Sequence, residues 1–122
     1  IDGLGGGIVK FHHIGFEVKD LESSKENFIK HLGFHTEQYM ELNGEKILFL
    51  VNGSIRIELI ENDCMEDEGL SHMHICFETD CLEFLHTLGI SIIEGPLLME
   101  NGWISVFTKG RNGEIIEFLK RN

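Results

Sequence analysis

The feature that most constrains this 122-residue chain is that its pattern is written twice. Residues 13–18 read HIGFEV and residues 74–79 read HICFET, identical at four of six positions. Each copy continues with an acidic residue (Asp20, Asp80), a helical pattern (Leu21–Leu32, Cys81–Leu88) and a glycine (Gly33, Gly89). Each then closes on an apolar strand pattern that follows an Asn-Gly turn and carries one glutamate. Asn52-Gly53 precedes Glu58, and Asn112-Gly113 precedes Glu117. His13 and His74 stand 61 residues apart, and Glu58 and Glu117 stand 59 apart, so the copies hold register to within two residues. Such a chain folds as one supersecondary unit made twice.

Local patterns give each copy the order strand, helix, then about three strands. Val9–Val18 alternates as a half-buried strand. Asp20 is an N-cap, Leu21, Ser24, Phe28 and Leu32 follow at helical spacing, and Gly33 is a left-handed C-cap. Strands are expected at Thr36–Leu42 and Lys46–Val51, joined by an Asn43-Gly44 hairpin turn, and at Ile55–Ile60. The second copy gives strand His72–Thr79, helix Asp80–Leu88, and strands Ser91–Glu94, Leu97–Met99, Ile104–Thr108 and Glu114–Lys120. Asn101-Gly102 is a further turn, and Pro96, the only proline, is expected to break the chain between two strands. The fold class is therefore α+β, with two tandem βαβββ modules, 8–62 and 70–120, in a single domain 8–120. The acidic stretch 61–69 (ENDCMEDEG) is the linker, and residues 1–7 (IDGLGGG) read as a vector-derived scar or a disordered N-terminus.

Alternation also assigns faces. In the first strand His12, Ile14, Phe16 and Val18 share the face that packs on the helix, and His13, Gly15 and Glu17 point the other way. In the second copy Ile75 and Phe77 pack inward while His74, Cys76 and Glu78 face away. His13 and His74 are thus equivalent, and His12 is set aside by its parity. Glu58 and Glu117 sit in strands otherwise rich in Ile, Leu and Phe. A carboxylate there is costly unless paired or metal-bound. If curved sheets meet about a pseudo-twofold axis, His13, Glu58, His74 and Glu117 line one cleft. Two imidazoles and two carboxylates suit one divalent ion of the Ni, Zn, Co, Mn or Fe kind better than Ca or Mg. The other histidines carry blander readings. His31 and His35 flank the end of the first helix at the surface, His72 shares parity with His74 at the cleft mouth, and His86 is a solvated helix residue. Cys76 shares parity with His74, with no partner base to mark a nucleophile, and Trp103 and Met99 read as core or pocket wall.

Composition excludes several classes. Hydrophobic residues at 42% and charged residues at 25% support a packed core and argue against disorder. No apolar run approaches the roughly 20 residues of a membrane-spanning helix. Ten Lys+Arg against 21 Asp+Glu leave a formal net charge of −11, which repels nucleic-acid backbones. The three cysteines, Cys64, Cys76 and Cys81, form no CxxC pair, and no signal peptide is visible. The expected setting is a reducing cytoplasm.

HHIGFEVKDLESS, the Leu32-Gly33-Phe34 that ends the helix, IRIELIE, GLSHMHICFET and NGEIIEFL resemble the vicinal oxygen chelate superfamily of glyoxalases, bleomycin-resistance proteins and dioxygenases. The resemblance spans roughly residues 8–120 and implies a glyoxalase-like fold with curved mixed sheets around a metal-binding cleft. Carried over residue by residue, it implies the ligands His13, Glu58, His74 and Glu117, the set the repeat gives. Within the superfamily that set resembles bacterial glyoxalase I most, and methylmalonyl-CoA epimerases next, which usually carry Gln at the place of Glu58. Bacterial glyoxalase I has an Arg four residues after its first ligand to grip glutathione, where this chain has Glu17. Asn62, four residues after Glu58, matches a glutathione-contacting Asn of that family. The epimerase loop between modules is usually longer than ENDCMEDEG.

The resemblance implies a metal-dependent lyase or isomerase that moves a proton through an enediolate on a small oxygenated metabolite. Glu117 or Glu58 is the expected base. Glu117 is favoured because Arg56 shares the face of Glu58 as a possible charge partner. The alternatives are a non-catalytic binding or antibiotic-resistance protein of the same fold, and a dioxygenase. A homodimer is expected because strand edges and cleft rims need cover.

Overall fold

The computed structural model describes residues 9–64, 73–87, 91–110 and 112–121. The expected scar at 1–7, most of the linker, His72, Gly89 and the end of the second helical stretch lie outside the described residues. The chain divides into two compact units, one being His13–Met73 and the other His74–Asn122 together with the chain up to His12.

In the unit His13–Met73, strand β1 (Val9–Val18) leads to helix α1 (Leu21–Leu32), then β2 (His35–Leu42), β3 (Glu45–Asn52) and β4 (Ile55–Glu61). The sheet order is β2-β3-β4-β1, with β1 parallel to β4 and the other pairs antiparallel. The parallel pair needs a crossover, and α1 supplies it. Both ends of α1 are held as the sequence predicts. The Asp20 carboxylate accepts from the Glu22 and Ser23 backbone N–H groups at 3.1 and 3.4 Å. At the far end Gly33 takes φ +77°, a left-handed conformation that favours glycine, and Asn52 Nδ2 donates to the Leu32 carbonyl at 3.0 Å. Between β2 and β3, Asn43 and Gly44 both have positive φ, 53° and 83°, as the hairpin turn requires. The core joins Leu21, Leu48, Leu50, Ile57 and Leu59, with Phe16, Val18, Phe28 and Phe34 packed on it. Leu32, the last residue of the expected helical stripe, is exposed, and Phe34 beyond the cap meets Phe28 edge to face in its place.

The second unit runs β5 (Met73–Thr79), a 3₁₀ segment Glu83–Thr87, β6 (Ser91–Leu98), β7 (Ile104–Lys109) and β8 (Ile115–Lys120). Its order is β5-β8-β7-β6, again with one parallel pair, β5 with β8. Leu85, Val106 and Phe118 form its core with Val9, Phe77, Leu82, Phe84 and Ile116. Two expectations change here. The helix expected over Asp80–Leu88 is a 3₁₀ turn where it is described. The Thr79 hydroxyl accepts from the Cys81 N–H and donates to the Cys81 carbonyl, so a side chain–backbone loop occupies the point where a helix would start. The two short strands expected around Pro96 are one strand, Ser91–Leu98, with register shifts at Ile92/Glu94 and Glu94/Leu97. As the outermost strand of its order, β6 bonds through β7, so a residue without an N–H is tolerated at its bulge.

Candidate functional site

The face of each sheet opposite the helix or 3₁₀ segment carries the residues that alternation singled out. In the unit His13–Met73, Gly15 on β1 lies opposite Glu58 on β4, and Phe49 on β3 lies on the other side of Glu58. His13 and Glu58 are both buried, and His13 Nε2 is 3.2 Å from Glu58 Oε1. Phe49 meets the His13 ring edge to face, with centroids 5.2 Å apart. The second unit repeats this. Cys76 on β5 lies opposite Glu117 on β8, and Phe107 on β7 lies on its other side. His74 Nε2 is 3.1 Å from Glu117 Oε1, and Phe107 meets the His74 ring edge to face at 5.5 Å. The structure therefore contains two half-sites of one design, each with an imidazole, a carboxylate and a phenyl ring.

A buried carboxylate against phenylalanine and leucine is tolerated only with a partner. Each half-site supplies one within hydrogen-bond reach. The same spacing fits two donors on one cation. Atoms about 2.1 Å from a shared ion stand roughly 3.0–3.4 Å apart when they subtend an angle between a right angle and the tetrahedral one. Imidazole nitrogen and carboxylate oxygen are the donor types that borderline divalent ions take. The donor set and spacing of each pair thus fit a metal ligand pair.

Three residues at these half-sites escaped the sequence reading. Phe49 and Phe107 occupy matching places in ILFL (47–50) and SVFT (105–108), 58 residues apart, a further repeat marker that alignment of the two copies exposes. Ser105 is the third. Fully buried, its hydroxyl donates to Glu117 Oε2 at 2.6 Å. Arg56, expected beside Glu58, turns its guanidinium on Glu37 in a fork at 2.8 and 3.0 Å.

Further along each strand a second pair recurs. Glu17 accepts from Asn62 Nδ2 at 2.9 Å. Glu78, at the equivalent place, takes Arg121 through two bonds at 2.8 and 3.0 Å, and this guanidinium holds the Glu78 carboxyl below its usual range. Arg121 also lies over the Trp103 ring, 5.6 Å from its centroid, and Trp103 meets His12 in a T-shaped contact. His12 is buried, with the Trp103 ring against it. His31 and His35 are exposed, none of the three cysteines is in a disulfide, and Cys76 is fully buried.

Residues 10–118 match the family model for the glyoxalase/bleomycin resistance protein/dioxygenase superfamily, and the chain belongs to that family. Solved structures share its glyoxalase-like fold. A hypothetical protein from Bacillus halodurans aligns at a TM-score of 0.76 with 22% identity, covering 93% of this chain and 95% of that one. Methylmalonyl-CoA epimerase from Mycobacterium tuberculosis aligns at 0.77 with 15% identity, covering 97% and 92%. The Streptomyces coelicolor methylmalonyl-CoA epimerase, solved with 2-nitronate-propionyl-CoA, aligns at 0.74 with 18% identity, covering 93% and 95%. A search of curated protein sequences finds no match. Among the described residues no helix is long and apolar enough to cross a membrane.

Proposed function

We propose that this chain is a divalent-metal-dependent lyase or isomerase that moves a proton next to a carbonyl on a small oxygenated metabolite. His13, Glu58, His74 and Glu117 would hold the ion, and the shared cleft forms within one chain or between two chains of a homodimer. The observation that carries this reading is the duplicated His–Glu pair on the helix-free face of each sheet, with both carboxylates and His13 buried. When bound, a divalent cation supplies positive charge that offsets the negative charge of an enediolate.

The chain's own groups supply the rest. His13 and His74 act as neutral imidazoles, each on a strand whose reverse face is locked into a core. The Phe49 and Phe107 rings flank them, fix their orientation and keep water from the carboxylates. Glu58 or Glu117 takes the proton from carbon, and either the other glutamate, in its acid form, gives a proton to the opposite face of the same carbon or the same glutamate returns it to the neighbouring carbon. The first outcome is epimerisation and the second isomerisation. Glu17 stands where a glutathione carboxylate would need a cation and argues against a glutathione adduct, while its partner Asn62 matches a glutathione-contacting residue and argues for one.

Metal analysis of the purified protein, followed by incubation with methylmalonyl-CoA and with the methylglyoxal–glutathione hemithioacetal in deuterium oxide, tests the reading. Stoichiometric metal and metal-dependent deuterium uptake at the carbon next to the carbonyl are expected. Protein that binds a small molecule tightly with neither metal nor deuterium exchange would make it a sequestering protein. Oxygen consumption with Fe(II) would make it a dioxygenase.

A further inference from the structure

The two half-sites share their His, Glu and Phe and differ at Gly15 against Cys76, opposite each glutamate, and at one position on the next strand. Two residues before Phe49 on β3 stands Ile47, and two residues before Phe107 on β7 stands Ser105. Register confirms the equivalence, since Ile47 lies opposite Ile60 and Ser105 opposite Leu119, each two residues past its glutamate on the partner strand. Both positions are buried. The fold accepts a branched aliphatic side chain there, as Ile47 demonstrates, so packing alone does not call for a hydroxyl. Burying one without a partner is unfavourable. Ser105 has its partner in Glu117, and at 2.6 Å the contact is a short, charge-assisted hydrogen bond. It occupies Oε2 and leaves Oε1 aimed at His74 Nε2. The Glu117 carboxylate therefore has its rotation about the last side-chain bond fixed by a hydroxyl on the neighbouring strand.

We propose that Ser105 is a positioning residue that holds Glu117 as a ligand in the His74–Glu117 half-site. The proposal rests on the metal-binding reading above and deepens it. A hydrogen bond of this kind to a ligating carboxylate typically changes metal affinity 10–100-fold.

The test is Co(II) titration of the apoprotein, followed by visible absorption and by competition with a chelator. Four proteins are compared: wild type, Ser105→Ala, Glu117→Gln, and the double variant. Far-UV circular dichroism checks that each keeps its sheet, and Ser105→Gly replaces Ser105→Ala should the latter lose it. The expected result is a Co(II) dissociation constant raised about tenfold or more by Ser105→Ala, with an altered visible spectrum. In the Glu117→Gln background the same change should shift affinity less than about twofold, because Ser105 then has no carboxylate to hold. A merely structural serine would weaken both backgrounds alike, and that outcome overturns the proposal. Wild-type affinity in Ser105→Ala overturns it alone and leaves the metal reading standing. Wild-type protein that binds no Co(II) overturns both.

Discussion

Glu17 and Glu78 stand four residues beyond His13 and His74, and each is held by the residue four beyond its module's second glutamate. One is held by an amide and the other by a guanidinium. The difference matters for pH. Arg121 holds the Glu78 carboxyl below its ordinary value near 4.5, chiefly by hydrogen bonding, with burial opposing. A carboxylate whose folded pKa is depressed contributes stability that is fully present above its unfolded pKa. That contribution is lost as pH falls through the folded value. Glu78→Gln should therefore lower stability at pH 7 by about 0.5–1 kcal/mol, kept small because the Arg121 side chain is partly exposed to solvent. The deficit should shrink as pH falls below about 4.5 and vanish once pH is below the depressed folded value. Urea denaturation of both proteins from pH 7 to pH 3 measures it, and a deficit that grows on acidification would refute the assignment. Neither pair was foreseen, although both glutamates fall at the expected positions. Strand parity tells which side a residue takes, while its partner depends on where a strand ends, and Asn62 and Arg121 lie just past the ends of β4 and β8. The same holds for Ser105, whose meaning appears only once β7 is paired with β8.

At the level of elements, what the sequence made legible was local. Asp20 and Gly33 bound α1 because a cap is settled by a few consecutive residues, and Asn43-Gly44 makes its turn for the same reason. The His–Glu pairs were legible for another reason, since duplication turned two unremarkable polar residues into four in register. The 3₁₀ segment was not legible, because Asp80 looks as good a cap as Asp20. The contest was decided by Thr79, whose hydroxyl takes the Cys81 backbone first. Pro96 misled through a rule that holds for central strands and not for β6. The two caps of α1 give separable predictions. Asp20→Ala removes the acceptor for two backbone N–H groups and should lower stability by about 1 kcal/mol. Gly33→Ala places a Cβ at φ +77°, 3.3 Å from Asn52 Nδ2, and should lower it by about 1–2 kcal/mol. The caps lie about 18 Å apart along the helix, so the double variant should lose the sum within about 0.5 kcal/mol. Thermal melts of the three variants check this, and a double variant no worse than either single one would show that α1 frays as a unit.

For the whole molecule, duplication leaves a question that stoichiometry answers. Two half-sites of one design would either load one ion each or share one, and the proposed function requires sharing. The two cases respond differently to damage in one half. If each His–Glu pair loaded its own ion, two would bind per chain. His13→Ala would then halve that number and leave the affinity of the surviving site unchanged, as would His74→Ala. If one ion takes all four ligands, the wild type binds one per chain. Either substitution then lowers affinity by at least about tenfold, because a missing ligand is missing from the only site. A dimer that exchanges halves keeps the ratio of one per chain, so native mass spectrometry of the Co(II)-loaded protein reads assembly and loading together. The formal charge of −11 attracts cations indiscriminately, so the titration belongs at about 0.15 M salt, where exposed charges are screened beyond roughly 8 Å. Under those conditions one tightly held ion per chain, lost on changing either histidine, is the expected result. Two ions per chain with independent affinities would separate the half-sites and remove the basis for a shared catalytic cleft.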